Sequence, residues 1–279
     1  MIQHTLYPFP DYIRLHALVS ASTVSYEPDF VFQGEQHNFW EFVYVVDGKI
    51  GATADSKIYT LSRGQIIFHR PMEFHKLWSA DNSSPSLLIS AFDVSGEGMC
   101  HLENGVFQLD LQAEELLLSY FHAVGPAFMP LDYSAAQMQQ IEYLLGQFLL
   151  YVSSHASDSL KQQHTRSAEN YRQIVRTMKE NVSKGLCSSD LARLCKLSES
   201  NMKKTFHRYS GCGVMNYYTR LKISYAKQLI IKGYSVGEIS DMLSFSTQNY
   251  FSLVFKRITG MSPMQFRKLN AARPESGIR

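Results

Sequence analysis

Residues 191–198 read Leu-Ala-Arg-Leu-Cys-Lys-Leu-Ser, and residues 239–246 read Ile-Ser-Asp-Met-Leu-Ser-Phe-Ser, in a similar order of apolar and polar positions. The two stretches are offset by 48 residues, whereas Phe206 and Phe255, which follow them, are offset by 49. One residue is therefore inserted within the second copy. Each copy fits a helix, a turn and a second helix, and self-similarity at a fixed spacing is stronger evidence for a fold than any single motif.

The charge of the chain is divided unevenly between its two halves. Residues 169–279 hold 19 Lys and Arg against 7 Asp and Glu, and residues 1–168 hold 8 against 18, although the whole chain carries only +2. A basic half beside an acidic half indicates that one half binds nucleic acid. Together with the repeat, this predicts that residues 169–279 bind double-stranded DNA through the second helix of each copy.

These second helices, the recognition helices, are predicted over about residues 199–208 and 247–258. Met202 and Phe206 face the core in the first, as Phe251 and Phe255 do in the second, and Ser198 and Ser235 are candidate N-caps. The side chains left exposed toward DNA are Ser200, Asn201, Lys203, Lys204 and His207, then Thr247, Gln248, Asn249 and Ser252. Asn and Gln can bond bidentately to adenine. Lys256 and Arg257 suit phosphates, which position a protein without specifying sequence.

A long helix is predicted between the copies, from about Gly213 to Lys232, with an apolar stripe along one side. At a rise of about 1.5 Å per residue it spans about 28 Å. Major grooves on one face of DNA recur about every 34 Å. A rigid helix of this length can hold two recognition helices in adjacent grooves.

Composition limits the class of protein. A chain of 279 residues fits two domains of about 100–200 residues each. Its 4 cysteines form no C-x-x-C pair, which favours reduced thiols over a zinc site. The N-terminus lacks a basic start followed by an apolar run, and no stretch reaches the roughly 18 apolar residues of a membrane span. We therefore expect a cytoplasmic protein with no membrane contact and no cofactor.

The N-terminal half reads as β structure over about residues 5–95. Strands are predicted at residues 39–46, closed by the hairpin signal Asp47-Gly48, and then at 50–53, 57–61, 65–69 and 87–92. Close spacing with turn residues between the strands predicts a small antiparallel barrel or sandwich.

Helices are predicted at residues 111–122 and about 134–153. The second has an apolar stripe, which we interpret as a dimer seam in preference to a cover for the barrel. Residues 154–168 are polar and are predicted to be a linker. The expected domains are residues 1–153 for sensing and dimerisation and residues 169–279 for DNA binding.

Residues 170–270 resemble the AraC family of bacterial transcription regulators. The match includes Phe255-Lys256-Arg257-Ile258-Thr259-Gly260-Met261-Ser262-Pro263 and then Phe266-Arg267, which is similar to the closing signature of that family. Three positions depart from the family pattern. Lys196 and Ser244 stand where the turns usually carry Gly, and Leu253 stands where Arg is common. The resemblance implies a sequence-specific regulator that works as a homodimer, with RNA polymerase as a further candidate partner.

The β half resembles the cupin-type sensor domain that accompanies this DNA-binding unit. The matching residues are His37, Glu41, Gly48, Gly64, Pro71 and His75, and Glu35 stands where metal cupins have their first His. The resemblance implies a small effector and no metal, although His37, Glu41 and His75 could form a facial metal set. A barrel mouth is a natural ligand site. The predicted effector-binding residues are Arg14, His37, Trp40, Glu41, Tyr44, Phe74 and His75.

The sequence therefore predicts an α+β multidomain protein. A cupin-like antiparallel β-barrel with flanking helices would precede an all-α tandem helix-turn-helix domain. The predicted function is DNA-binding regulation controlled by a small polar effector such as a sugar, without catalysis. Two alternatives stay open: a metal-dependent cupin enzyme fused to a DNA-binding domain, and a ligand-independent regulator with a vestigial barrel.

Overall fold

The computed structural model describes residues 10–103, 105–129, 132–155 and 165–271. The chain divides after residue 163 into two compact units, which we call the N-terminal unit and the C-terminal unit. None of the helices in these ranges combines the length and the hydropathy that crossing a bilayer requires.

The N-terminal unit contains two antiparallel sheets. Its strands are β1 (Arg14–Ser25), β2 (Trp40–Asp47), β3 (Lys49–Ala54), β4 (Lys57–Ser62), β5 (Gln65–His69), β6 (His75–Ser79), β7 (Ser86–Ser95) and β8 (Val106–Gln108). The larger sheet has the order β1-β7-β2-β5-β8 and the smaller one β4-β3-β6. The sequence did not predict β1, β6 or β8. The predicted Asp47-Gly48 hairpin is wrong, because β2 and β3 lie in different sheets; Gly48 (φ 77°) instead passes the chain between them.

Strand β2 separates two apolar cores, because successive side chains in a strand point to opposite faces of the sheet. Val43 and Val45 pack with residues of the smaller sheet, including Ile50 and Leu77, and fill the space between the sheets. Phe42 and Tyr44 belong to the other core, which lies under two helices. The faces of β2 thus decide which residues can share a site.

The helices of this unit are α1 (Leu111–Val124) and α2 (Ala135–His155), preceded by a 3-10 turn over Glu97–Leu102. The Asp110 side chain caps α1 by accepting from the Ala113 amide, and Gly125 (φ 75°) ends the helix. Ile141, Leu145, Phe148 and Val152 of α2 are buried in the core beneath the larger sheet. The predicted dimer seam is therefore wrong for this stripe, because the unit itself covers it.

The C-terminal unit is helical. It contains α3 (Arg166–Glu180), α4 (Ser188–Leu194), α5 (Glu199–Ser210), α6 (Val214–Ile231), α7 (Val236–Met242), α8 (Gln248–Thr259) and α9 (Pro263–Ala271). The predicted linker over residues 154–168 needs correction. Residues 154–155 finish α2, Thr165 caps α3, and residues 156–164 lie outside the described residues. Helix α9 was not predicted.

The sequence repeat is a structural repeat of three helices. Helices α3 and α6 begin 48 residues apart, as do α4 and α7, and α5 and α8 begin and end 49 residues apart. The additional residue lies in the second turn, because Ser198 caps α5 whereas Thr247 caps α8. Both recognition helices end on a left-handed glycine, Gly211 and Gly260. The predicted caps Ser198 and Ser235 are confirmed.

Candidate functional site

The first recognition helix, α5, presents a basic and polar face. Met202 and Phe206 are fully buried, which fixes the opposite side of the helix toward solvent. The predicted residues Ser200, Asn201, Lys203, Lys204 and His207 are all exposed. Two of them already have partners: Lys203 pairs with Glu199 at 2.6 Å, and the Asn201 side-chain oxygen accepts from Thr205 at 3.3 Å.

The second recognition helix, α8, presents a different face. Gln248, Asn249, Lys256 and Arg257 are exposed as predicted. Thr247 is also exposed as predicted, and its hydroxyl oxygen is the N-cap, which accepts from the Tyr250 amide at 3.1 Å. Ser252, predicted to be exposed, is half-buried. Tyr250 is 50% exposed, and Leu253 is 69% exposed.

The turns before these helices require a left-handed residue, which explains the usual glycine. Lys196 has φ 55° and Ser244 has φ 51°, at equivalent positions. Residues with a Cβ adopt this conformation at a cost. The backbone is nevertheless the same in both copies: the Leu197 amide donates to Ala192 O, and the Phe245 amide donates to Ser240 O. The two departures from glycine therefore leave the turn geometry intact.

The functional candidate in the N-terminal unit is a cluster of four ionisable side chains, Glu35, His37, Glu41 and His75, which we call the polar cluster. Glu41 begins the face of β2 that points between the sheets, and His75 begins β6. The segment before β2 supplies the other two, with Glu35 bridged to His75 through backbone hydrogen bonds. His75 Nε2 lies 3.3 Å from Glu41 Oε1, and His37 Nε2 lies 3.7 Å from Glu41 Oε2.

Burial and charge act against each other in the polar cluster. Burial opposes the ionised form of Glu41, but the His37 and His75 imidazoles outweigh it and hold its pKa below the ordinary value. Burial also opposes a charged His75, but the Glu35 and Glu41 carboxylates raise its pKa to about 10. Without another ligand, the chain thus holds Glu41 and His75 as an ion pair.

A second layer of ionisable groups lies next to the polar cluster. The His69 ring stacks on His75 with centroids 4.4 Å apart, and His69 Nδ1 lies 2.9 Å from Glu73 Oε1. Burial lowers the pKa of His69 well below its ordinary value. Burial, with the nearby Asp55 carboxylate, raises the pKa of Glu73 to about 8. The predicted site did not include His69 or Glu73; the pairing of Glu41 with His69 between β2 and β5 is what brings them in.

The structure brings together only part of the predicted effector site. His37, Glu41 and His75 meet, but Trp40 and Tyr44 lie on the opposite face of β2, in the core under the helices. The Tyr44 hydroxyl donates to Glu114 of α1 at 2.6 Å. Including Trp40 and Tyr44 was therefore wrong, because strand residues one and three places from Glu41 face the other way.

Two other predicted residues are also separated from the polar cluster's ligand atoms. Arg14 is on β1 and pairs with Asp11 at 3.4 Å near the surface. Its inclusion in the effector site is wrong, since β1 is separated from β2 by β7. Phe74 is buried, and its ring packs against Gly34, just before the polar cluster. Phe74 can therefore support the loop that carries Glu35 and His37.

Comparisons with known proteins agree with this division of the chain. Residues 23–95 match the profile of the AraC-like ligand binding domain, and residues 191–269 match that of a helix-turn-helix domain. The chain is 24% identical over 263 residues to the HTH-type transcriptional activator RhaR of Shigella dysenteriae, a match that covers 88% of this chain and 90% of the relative. It is 23% identical over 263 residues to RhaR of Escherichia coli K12, with the same coverage.

Solved structures give weaker matches. One is fatty-acid-bound ToxT from Vibrio cholerae, at 14% identity and a TM-score of 0.39, covering 94% of this chain and 99% of that one. Another is the DNA-binding domain of AdpA with target DNA, at 22% identity and a TM-score of 0.36, covering 38% of this chain and 96% of that one.

A ligand-binding domain of this type joined to a tandem helix-turn-helix defines a class of DNA-binding transcription regulators. The chain belongs to the AraC family of that class. The relatives are transcription regulators, and the match covers most of their length. The family assignment therefore supports the prediction that the chain is not an enzyme.

Proposed function

We propose that this AraC-family regulator reads a specific operator through α5 and α8 and is controlled by a small polar effector bound at the polar cluster. Two observations carry the proposal: His37, Glu41 and His75 meet in the N-terminal unit, where Glu41 and His75 are buried and His37 is half-buried, and the recognition helices of the C-terminal unit are exposed. Buried ionisable groups with shifted pKa values favour ligand sites. The effector acts by binding two states of the protein unequally, since equal binding shifts nothing.

On the DNA side, the proposal assigns different tasks to the exposed residues. Asn201 in α5 and Gln248 and Asn249 in α8 contact base edges, because amide side chains can match adenine. Lys204, His207, Lys256 and Arg257 are placed further along their helices or on their flanks and bind phosphates. Lys203 does so after giving up its ion pair with Glu199.

The DNA part of the proposal is tested with the full chain and duplexes selected from a random pool. We expect one enriched sequence motif and an affinity that falls steeply with salt, because phosphate contacts release counterions. Binding measured by fluorescence anisotropy at several salt concentrations checks both. Equal affinity for selected and shuffled duplexes would contradict sequence-specific reading.

The effector part is tested by thermal shift of the full chain against a panel of sugars and other polar metabolites. A ligand that binds only the folded protein raises its melting temperature by mass action. His75→Ala should abolish the shift, whereas His101→Ala, which removes an exposed imidazole of the same unit, should keep it. A shift that survives both His75→Ala and Glu41→Gln would place the effector elsewhere.

We further propose a homodimer that activates transcription by contacting RNA polymerase. The relatives are named transcriptional activators, which supports the sign of the effect. For the dimer, the outer face of α2 exposes Tyr143 (65%) and Leu150 (43%), seven residues apart and therefore on one side of the helix. Sedimentation should show a dimer that Tyr143→Glu with Leu150→Glu converts to a monomer, while Val19→Glu on β1 does not.

A further inference from the structure

The donor atoms of the polar cluster are spaced as ligands of a single ion would be. The possible ligand atoms of Glu35, His37, Glu41 and His75 all lie within 4.8 Å of one another. The four imidazole-to-carboxylate distances run from 3.3 to 4.0 Å. Donor atoms at the corners of a tetrahedron around an ion with bonds of about 2.1 Å are about 3.4 Å apart. Small side-chain movements would therefore complete a coordination sphere.

Both imidazoles are held in the tautomer that a metal ion requires. His37 Nδ1 donates to the carbonyl oxygen of Phe39 at 3.0 Å, and His75 Nδ1 donates to the carbonyl oxygen of Glu73 at 3.3 Å. A carbonyl oxygen only accepts, so each Nδ1 carries the hydrogen. In the neutral ring this leaves a lone pair on Nε2, which is the atom nearest the carboxylates. Histidines that bind metals are fixed by their second nitrogen in the same way.

The two Nε2 atoms face the carboxylates without forming a hydrogen bond to them. Within the described residues, Nε2 of His37 and Nε2 of His75 are shielded from solvent and accept or donate no hydrogen bond. The His75 side chain is 0% exposed, and it faces the carboxylates of Glu35 and Glu41. Buried polar atoms in folded proteins nearly always have a partner, so each exception points to an unseen one. A divalent cation that replaces the Nε2 proton of His75 binds the lone pairs of both imidazoles and neutralises the two carboxylates at once.

We propose that the polar cluster binds one divalent first-row transition-metal ion through Nε2 of His37 and His75 and a carboxylate oxygen of Glu35 and Glu41. Imidazoles select zinc, iron, cobalt and nickel over magnesium and calcium, and the carboxylates extend the set to manganese. A regulatory consequence follows that rests on the effector function proposed above. An ion whose coordination number exceeds four has coordination positions left after these four side chains bind. An oxygen-donor chelator, such as a hydroxy acid or a vicinal diol, can occupy those positions.

The test uses the full chain, stripped with a chelator and then titrated with Co²⁺ or Zn²⁺ alone. We expect one ion per chain after gel filtration, a visible d–d absorption band with Co²⁺, and a melting temperature that rises with metal concentration. His75→Ala should abolish all three. Its matched control, His101→Ala, should change none, because His101 is exposed and lies outside the cluster.

Because a buried His75→Ala chain can fail to fold, Glu35→Gln carries the test independently. The Glu35 side chain is 50% exposed, so the variant should melt like the parent in the absence of metal. It should bind Co²⁺ more weakly by about tenfold or more, a loss that even outer partners of ligands cause. Glu97→Gln, at an exposed carboxylate, is its control.

Substoichiometric metal in the parent chain, or equal retention by Glu35→Gln and His75→Ala, would overturn the proposal. The two proposals fail separately. If a metabolite shifts the melting temperature of metal-free protein but no ion binds, only the metal site is lost. If the ion binds but neither it nor a chelating metabolite changes operator affinity, the metal site stands and the effector function is lost.

Discussion

In the first helix-turn-helix copy the recognition helix exposes Lys203, Lys204 and His207, whereas the second copy exposes Tyr250 and Leu253 at its recognition surface. Apart from the one residue inserted in the second turn, the backbones of the copies correspond, including the left-handed turn residue and the terminal glycine. The positions that set the geometry have stayed alike within one chain, while the surface has diverged. The comparison indicates that the two copies can place their recognition helices on DNA in the same way while offering different side chains to the bases.

The largest effects should be equal in the two copies. The Phe206 ring packs on Tyr217 with centroids 5.2 Å apart, and the Phe255 ring packs on Phe266 with centroids 5.7 Å apart. Phe206 and Phe255 are both fully buried. Phe206→Ala and Phe255→Ala should each lower the free energy of unfolding by about 3–5 kcal/mol. Urea denaturation of the full chain measures this, with the exposed Leu253→Ala as the control. Tolerance of one substitution alone would break the equivalence of the copies.

A buried lysine distinguishes the cores of the copies. Lys222 Nζ donates to Leu243 O at 2.6 Å, while the position 48 residues earlier is the buried Ile174. Lys222→Met should cost about 1–3 kcal/mol of unfolding free energy, because the Leu243 carbonyl loses its donor. Ile174→Met, which keeps the volume, should cost less than about 1.5 kcal/mol. A stabilised Lys222→Met variant would mean that burying the Lys222 charge costs more free energy than its hydrogen bond to Leu243 O contributes.

Base reading should be lost at a different base position in each copy. Asn201→Ala and Gln248→Ala should each relax preference at one operator position by about 1–3 kcal/mol. Affinities for a set of single-base operator variants would locate the two positions. If both substitutions relax the same position, or neither relaxes any, the two helices do not read separate blocks.

Salt dependence should separate the charged face from the apolar one. Lys204→Ala should reduce the slope of log affinity against log salt by about 0.9, the value for one lost phosphate contact. Leu253→Ala should leave the slope unchanged and weaken the preference for thymine, whose methyl group an apolar side chain contacts. Equal slope changes would show that Leu253 acts on the duplex in the same way as Lys204.

The smallest effect concerns the left-handed turn residues. Lys196→Gly should stabilise the chain by about 1 kcal/mol, since glycine adopts this conformation without a Cβ penalty. Ser244→Gly should gain less, because the Ser244 hydroxyl donates to Ser183 O at 2.6 Å and that hydrogen bond is lost. Thermal melts of the two variants, compared with Gly213→Ala, where an added Cβ meets nothing within 4 Å, check the order. A larger increase in melting temperature for Ser244→Gly than for Lys196→Gly would mean that the Ser244 hydroxyl does not stabilise its turn.

Sequence reasoning succeeded where the pattern is local. The caps at Ser198 and Ser235 and the alternation of Met202 and Phe206 with exposed neighbours depend on residues a few places apart, so the C-terminal unit was predicted closely. Helix α9 was missed because its start at Pro263 was taken only as part of a signature.

The N-terminal unit shows what a local pattern does not contain. His37, Glu41 and His75 were predicted together, and they meet. Trp40 was predicted to line the same site, although a strand sends sequence neighbours such as Trp40 and Glu41 to opposite faces. His69 could have been found only by knowing that β5 pairs with β2, which is information about sheet order. Glu35 was noted in the sequence because it stands where metal cupins have their first His. Its position two residues before His37 was the signal that could have added it to the predicted site.

The loop over residues 181–185 has a consequence for the length of DNA that the chain can recognise. The Tyr218 hydroxyl of α6 shares its one hydrogen between Asn181 O and Lys184 O, and the Ser244 hydroxyl of the second turn donates to Ser183 O. The second copy thereby holds the loop between α3 and α4 of the first copy, so the copies cannot separate without losing these bonds. If both recognition helices contact DNA as proposed, the distance between the two contacted blocks is therefore fixed. At about 10–10.5 base pairs per turn, inserting half a turn between the two contacted blocks would carry one block to the far side of the duplex, out of its reach.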